Sequence, residues 1–234
     1  LKLKALIAEF VGTFCLLFAL VGAAVSCQLA LVTSERAGVT SLFIVALAQG
    51  LAIAVCGSAL GHVSGGHFNP AVSLGMALTK QMGFVPMIGY WIAQFAGAIA
   101  GTFAVSYAMP EDAFTSVNAA APALHILAQP TQGLVLEIIG TFFLTLVVFG
   151  TAVDKRASKM GAWFIGLTLT TMVLAFGPLT GGSMNPARWL GPSLIVGGIE
   201  EPLVFFVGPL IGGALAALLY SQVLAKGDMD ETPA

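Results

Sequence analysis

The residues whose types and spacing could do chemistry come as two matching sets. Ser64-Gly65-Gly66-His67-Phe68-Asn69-Pro70-Ala71 and Thr180-Gly181-Gly182-Ser183-Met184-Asn185-Pro186-Ala187 align position for position, with the two asparagines 116 residues apart. Each has a hydroxyl residue, two glycines, two further residues and then Asn-Pro-Ala, which is an internal repeat. Arg188 follows the second box directly. Two acids, Glu9 and Glu137, recur in similar apolar settings, Ala8-Glu9-Phe10-Val11-Gly12-Thr13-Phe14 and Leu136-Glu137-Ile138-Ile139-Gly140-Thr141-Phe142. Amides, backbone carbonyls and carboxylates in this pattern make hydrogen bonds. The chain has no Gly-x-Ser-x-Gly and no His-Glu-x-x-His, so no nucleophilic or zinc-assisted hydrolysis is indicated.

These residues must be held in a membrane. The chain is 58% hydrophobic and 9% charged, whereas an ordinary soluble domain has about 25% charged residues. The formal charge of −2 and the lack of a basic cluster argue against nucleic acid as partner. Cys15, Cys27 and Cys56 show no metal-ligand spacing and read as small packing residues; no motif indicates a metal, cofactor or prosthetic group. A crossing helix needs about 20 mostly apolar residues, and six stretches qualify, near Ala5–Val25, Val39–Leu60, Phe84–Met109, Thr131–Val153, Gly161–Pro178 and Leu203–Ala225. The first contains Glu9 and lacks a convincing cleavage site, so it reads as a retained span rather than a signal peptide.

Asn before Pro starts a helix, because Asn caps and Pro is tolerated at the first helical position. The helices after the two boxes have only about ten residues before the next breaker, too few to cross. The expected fold is an all-α membrane protein of six transmembrane helices plus two re-entrant half-helices. Three spans and a half-span make one repeat, and an odd number of spans inverts the second, a 3+3 arrangement in which the half-helices meet tip to tip. The expected organisation is residues 1–110 as first repeat, 111–130 as external linker loop, 131–226 as second repeat and 227–234 as a cytoplasmic tail. Lys2, Lys4, Lys80, Lys155, Arg156, Lys159 and Lys226 would fall on one side and Arg36 and Arg188 on the other, which predicts that both termini are cytoplasmic.

Irregular backbone at membrane depth is tolerated where it is buried in protein or lines a water-filled cavity, so the glycine-rich segments predict a polar path. With its paired boxes, the chain resembles the aquaporins, the major intrinsic protein family, over nearly its whole length. The resemblance implies a pore centre at Asn69, Pro70, Ala71, Asn185, Pro186 and Ala187, where the asparagine amides donate to a passing molecule. It implies a ladder of acceptor carbonyls at Gly65, Gly66, His67 and Phe68, and at Gly181, Gly182, Ser183 and Met184. Glu9 and Glu137 would each accept from backbone N–H groups of a re-entrant loop, and His67 would support its loop. Arg188, whose burial in a membrane costs roughly 2.5 kcal/mol or more, would form one wall of an outer constriction with Gln49, Val173 and Gly182. The converging positive ends of the half-helices would disfavour cations and interrupt proton relay.

The constriction departs from the family's patterns. Strict water channels have an aromatic and a histidine at the positions of Gln49 and Val173, and glycerol facilitators have two aromatics. The opening predicted here is wider than a strict water filter. Trp189 in place of an aspartate, and Phe205-Phe206, lean back toward water channels. The reading is a passive channel for water that excludes protons and ions and also admits small neutral solutes. The alternative is a facilitator mainly of glycerol, urea, ammonia, hydrogen peroxide or neutral metalloid hydroxides; a distant one is an ion-coupled transporter, which needs a coupling-ion site where this chain presents amides. A homotetramer is implied by the family alone. Short loops suggest a prokaryotic-type channel in a bacterial inner membrane.

Overall fold

The computed structural model describes residues 2–31, 38–157 and 159–225; the expectations for Arg36, Lys226 and the tail lie outside them. The helices are α1 (Leu3–Leu31), α2 (Gly38–Ser64), α3 (Pro70–Leu78), α4 (Phe84–Ala108), α5 (Glu111–Ser116), α6 (Pro130–Val148, continued as π-helix over Phe149–Val153), α7 (Gly161–Thr180), α8 (Pro186–Val196) and α9 (Gly208–Leu219, with π-helical turns Leu203–Val207 before it and Tyr220–Leu224 after it). Among the described residues six helices are long and apolar enough to cross a membrane, and they coincide with the six stretches read from hydropathy. Large apolar side chains such as Phe43, Val55, Val85, Ile92 and Phe103 stay exposed on them. In water such a surface would be a liability; in lipid it is the contact face.

The half-helices are short because local chemistry starts and stops them. Asn69 caps α3 and Asn185 caps α8, each followed by proline in the first turn. Lys80, at φ 61, turns the chain left-handed just after α3, and Gly197, at φ 82, does so after α8. The results are 9 and 11 residues long, or roughly 14 and 17 Å at 1.5 Å per residue, about half the hydrocarbon core. The π-helical turn over Leu203–Val207 ends two residues before Pro209, whose ring clashes with the carbonyl four residues back, within that turn, and whose nitrogen cannot donate, so the wider turn accommodates it.

The two repeats interlock. α1 packs on α4 and α6 on α9, while α3 packs on α9 and α8 on α4, so each half-helix leans on the third span of the other repeat. Close approach is possible because Gly97 lies against the Phe10 carbonyl and its counterpart Gly212 against the Ile138 carbonyl, with no room for a Cβ. The linker expected as loop contains α5, a turn and a half after Pro110 with Glu111 and Asp112 in its first turn, where the helix dipole favours acids. With six alternating spans, Lys2, Lys4, Lys80, Lys155, Arg156 and Lys159 lie at one end and Glu111 and Asp112 at the other.

Candidate functional site: a channel between two half-helices

Each glycine-rich segment hangs on one buried carboxylate. Glu9 is 0% exposed; its Oε1 accepts from Ser64 Oγ at 2.6 Å and the His67 N–H at 3.0 Å, and its Oε2 accepts from the Phe68 N–H at 2.7 Å and Gln94 Nε2 at 2.8 Å. Glu137, also 0% exposed, accepts from Thr180 Oγ1 at 2.7 Å and Ser183 N–H at 2.9 Å on Oε1, and from Met184 N–H at 2.6 Å on Oε2. Ser64 and Thr180 also accept from the N–H of Gly66 and Gly182, each at 3.1 Å. A carboxylate without hydrogen bonds would be very costly at such burial; here its oxygens meet donors only.

The same ties force both segments into one shape. Gly65 and Gly66 have φ 93 and 64, Gly181 and Gly182 have 79 and 56, and Phe68 and Met184 have 48 and 50. A left-handed conformation is cheap for glycine but costs a side-chain-bearing residue roughly 1–2 kcal/mol. Phe68 and Met184 hold it because their N–H groups are bound to the carboxylates.

At the centre, Asn69 Oδ1 accepts from the Ala71 N–H at 2.9 Å, and Asn185 Oδ1 from those of Ala187 at 2.9 Å and Arg188 at 3.3 Å. Each amide nitrogen crosses to the other repeat: Asn69 Nδ2 donates to the Met184 carbonyl at 2.8 Å and Asn185 Nδ2 to the Phe68 carbonyl at 2.9 Å. This corrects one expectation. The carbonyls of Phe68 and Met184 serve as ties between the loops rather than as free rungs, because they are the acceptors within reach of the opposing amides. One of the two hydrogens on each amide is used in the tie, and the other is left for the path. The Pro70 carbonyl accepts from Trp91 Nε1 at 3.0 Å, and Ser183 Oγ donates to the Asn185 carbonyl at 3.1 Å.

Three cavities line up along this seam. An outer vestibule of about 310 Å³ is bordered by Cys27, Val173, Gly181 and Arg188. A narrow middle of about 30 Å³ lies among Gln49, His67, Asn69, Ser183, Asn185 and apolar residues such as Leu16 and Leu169. An inner vestibule of about 380 Å³ is bordered by Ser64, Gly65, His67, Tyr90 and Val153. A water needs room of roughly 10–15 Å³, so the middle has room for only about two or three at a time.

Of the four residues expected at the constriction, Gln49 borders the narrow middle, and Val173 and Arg188 border the outer vestibule. Gln49 is buried and its Nε2 donates to the Gly182 carbonyl at 3.3 Å, so this side chain is pinned rather than free. A Cβ on Gly182 would lie 3.0 Å from Val173 Cγ2. Arg188 is 3% exposed; it donates from Nη1 to the Ala120 carbonyl at 3.0 Å and from Nη2 to the Gly181 carbonyl at 3.2 Å. Gln49 Oε1 and Arg188 Nε are buried without a protein partner. The Ala120 contact comes from a turn in which Asn118, Ala119 and Ala120 have φ 48, 50 and 51, a run of strained residues that sequence reasoning did not find.

Gln94 was also missed. It is 0% exposed and donates to both Glu9 Oε2 and, at 3.0 Å, Ser73 Oγ. A polar residue inside the span Phe84–Met109 was the available signal. At the inner mouth Asp154 ties Arg156 to Tyr220: it accepts from Arg156 Nε and N–H at 2.9 Å, from Arg156 Nη2 at 2.6 Å and from the Tyr220 hydroxyl at 2.8 Å. The Arg156 side chain first, then its N–H and the Tyr220 hydroxyl, hold the Asp154 carboxyl well below the usual carboxylate range.

Six spans in two inverted repeats, with two half-helices tied together across a narrow seam, define a membrane channel. Residues 1–220 match the family described as Major intrinsic protein, and the chain belongs to that family. It is 39% identical over 236 residues to Aquaporin TIP2-1 of Arabidopsis thaliana, covering 99% of this chain and 91% of that one. It is 38% identical over 238 residues to Aquaporin TIP4-4 of Zea mays, covering 98% and 90%. The X-ray structure of the aquaglyceroporin from Plasmodium falciparum superposes with a TM-score of 0.81 at 27% identity, covering 95% of this chain and 96% of that one. The protein is therefore an integral, multi-pass channel for water and small solutes, and it is not an enzyme. These relatives are from plants and Plasmodium, so the bacterial inner membrane inferred from short loops finds no support among them.

Proposed function

We propose that water crosses this channel in single file and that Gln49, Val173, Gly182 and Arg188 form a filter that also admits small uncharged solutes. The observation that carries the reading is the pair of buried atoms without protein partners at this constriction, one acceptor, Gln49 Oε1, and one donor, Arg188 Nε. A small molecule with both a donor and an acceptor, as water or an alcohol has, satisfies them in turn; a cation meets Arg188. No aromatic ring stands at the four positions to narrow the opening. Asn69 and Asn185 offer their remaining amide hydrogens to the oxygen of the molecule at the centre, and the carbonyls of Gly65, Gly66, His67 and Ser183 accept on either side of it, those of Gly181 and Gly182 being engaged by Arg188 Nη2 and Gln49 Nε2. Pro70, Ala71, Pro186 and Ala187 begin the half-helices whose positive ends oppose cations there.

Both termini lie on the cytoplasmic side in this reading, because the basic residues of the short connections gather at that end. Four copies assemble, each with its own pore, as the family resemblance implies. The test is stopped-flow light scattering of reconstituted vesicles challenged separately with an impermeant sugar and with glycerol. The native chain should shrink fast in sugar and reswell in glycerol, and Gln49→Phe should suppress the reswelling. Glycerol reswelling untouched by Gln49→Phe would remove the filter from this position, and sugar-driven shrinkage no faster than in empty vesicles would count against water passage itself.

A further inference from the structure

His67 stands at the neck between the narrow middle and the inner vestibule, since it borders both. We propose that Gln94 and Ser73 lock its tautomer so that the ring presents an Nε2–H, never a bare nitrogen, to the file of water, and that this lock is a proton barrier separate from the asparagines. The inference rests on the water-channel reading above.

Hydrogen positions follow from counting donors. Glu9 accepts four hydrogen bonds, so the Gln94 group facing it at 2.8 Å must be the NH₂ and not the carbonyl oxygen. That nitrogen has two hydrogens, and the second goes to Ser73 Oγ at 3.0 Å. Ser73 Oγ thus receives a hydrogen from Gln94 and has one of its own to give. Its partner is His67 Nδ1, 3.0 Å away. A neutral imidazole has one donor and one acceptor nitrogen, so Nδ1 accepts and the hydrogen sits on Nε2. The Tyr90 ring packs edge-on against the imidazole at 5.1 Å between centroids, and turning the imidazole over would break its contact with Ser73 Oγ.

The consequence is chemical. With the opposite tautomer, the Nε2 lone pair beside the water file would take a proton from one side and return it to the other. With Nδ1 occupied by the Ser73 hydroxyl, the ring has no lone pair to offer the file. The second repeat lacks the device: Ser183 stands at the place of His67, and Pro209 at the place of Gln94 counting from the paired glycines Gly97 and Gly212.

The test uses the full chain in vesicles, measuring proton flux with an entrapped pH dye under a clamped membrane potential and dividing it by osmotic water permeability of the same preparation. Ser73→Ala and Gln94→Leu should raise that ratio about tenfold, the change in tautomer balance that one lost hydrogen bond of ordinary strength brings. Ser73→Thr, which keeps the hydroxyl, should restore it. Nitrogen-15 solid-state spectra of the native chain, with its three histidines His62, His67 and His125 assigned by substitution, should show His67 protonated at Nε2 only, and mixed in Ser73→Ala. Protonation at Nδ1 in the native chain overturns the proposal whether or not the variants fold, and so does an unchanged flux ratio in both variants. A native chain without water permeability would fall on the channel reading instead, while its spectrum would still decide the tautomer.

Discussion

Replacing Glu137 with glutamine changes one atom and tests the whole anchoring argument. The carboxylate serves three donors, Thr180 Oγ1 and Ser183 N–H on one oxygen and Met184 N–H on the other. An amide has a single oxygen, so it can serve the Thr180 and Ser183 side or the Met184 side, and its NH₂ then opposes the N–H left over. That strands two buried donors, at about 1–3 kcal/mol each, or about 2–6 kcal/mol in all. Met184 meanwhile keeps a left-handed backbone, at φ 50, that disfavours the native loop by roughly 1–2 kcal/mol. The penalty of the substitution exceeds what the loop can absorb without moving. Because the Met184 carbonyl is also the acceptor for Asn69 Nδ2, movement there loosens the centre of the path. Glu137→Gln should lower the thermal midpoint in detergent and reduce water permeability per folded protomer at least about tenfold, the factor corresponding to about 1.4 kcal/mol. Wild-type permeability together with an unchanged midpoint would refute the claim that this carboxylate holds the loop.

Two further outcomes follow from local geometry. Gly182→Ala puts a methyl 3.0 Å from Val173 Cγ2 and onto a backbone at φ 56, so solute permeability should fall more than water permeability in the vesicle assay, and equal losses would argue against a steric role for this corner. Asp154 has a folded-state pKa held below its unfolded value, so its contribution to stability is complete above about pH 4, the ordinary range for this side chain, and is lost as pH falls below it. Thermal midpoints of the native chain and Asp154→Asn should differ by a constant amount from pH 5 to 8 and converge below pH 4; convergence near neutrality would mean that Asp154 is not held by Arg156 and Tyr220 in this way.

The sequence by itself determined the membrane class, the six spans, the two half-helices and their inversion, because these depend on short-range signals: runs of apolar residues, an Asn-Pro helix start, a residue that ends the helix nine or eleven positions later. Glu9, Glu137 and Arg188 were legible as polar groups that an apolar setting cannot leave without partners. What those partners are was decided only by the tertiary structure. Asn69 and Met184 stand 115 positions apart, Asn185 and Phe68 117, and Arg188 and Ala120 68, and no local preference encodes which carbonyl a side chain will reach once two inverted repeats close on each other. Gln94 was one polar letter in an apolar helix until folding placed it between Glu9 and Ser73. The left-handed turn at Asn118–Ala120 has ordinary residues and no turn glycine, so its shape comes from the contacts made around it, among them the Arg188 guanidinium on the Ala120 carbonyl, and not from its own sequence.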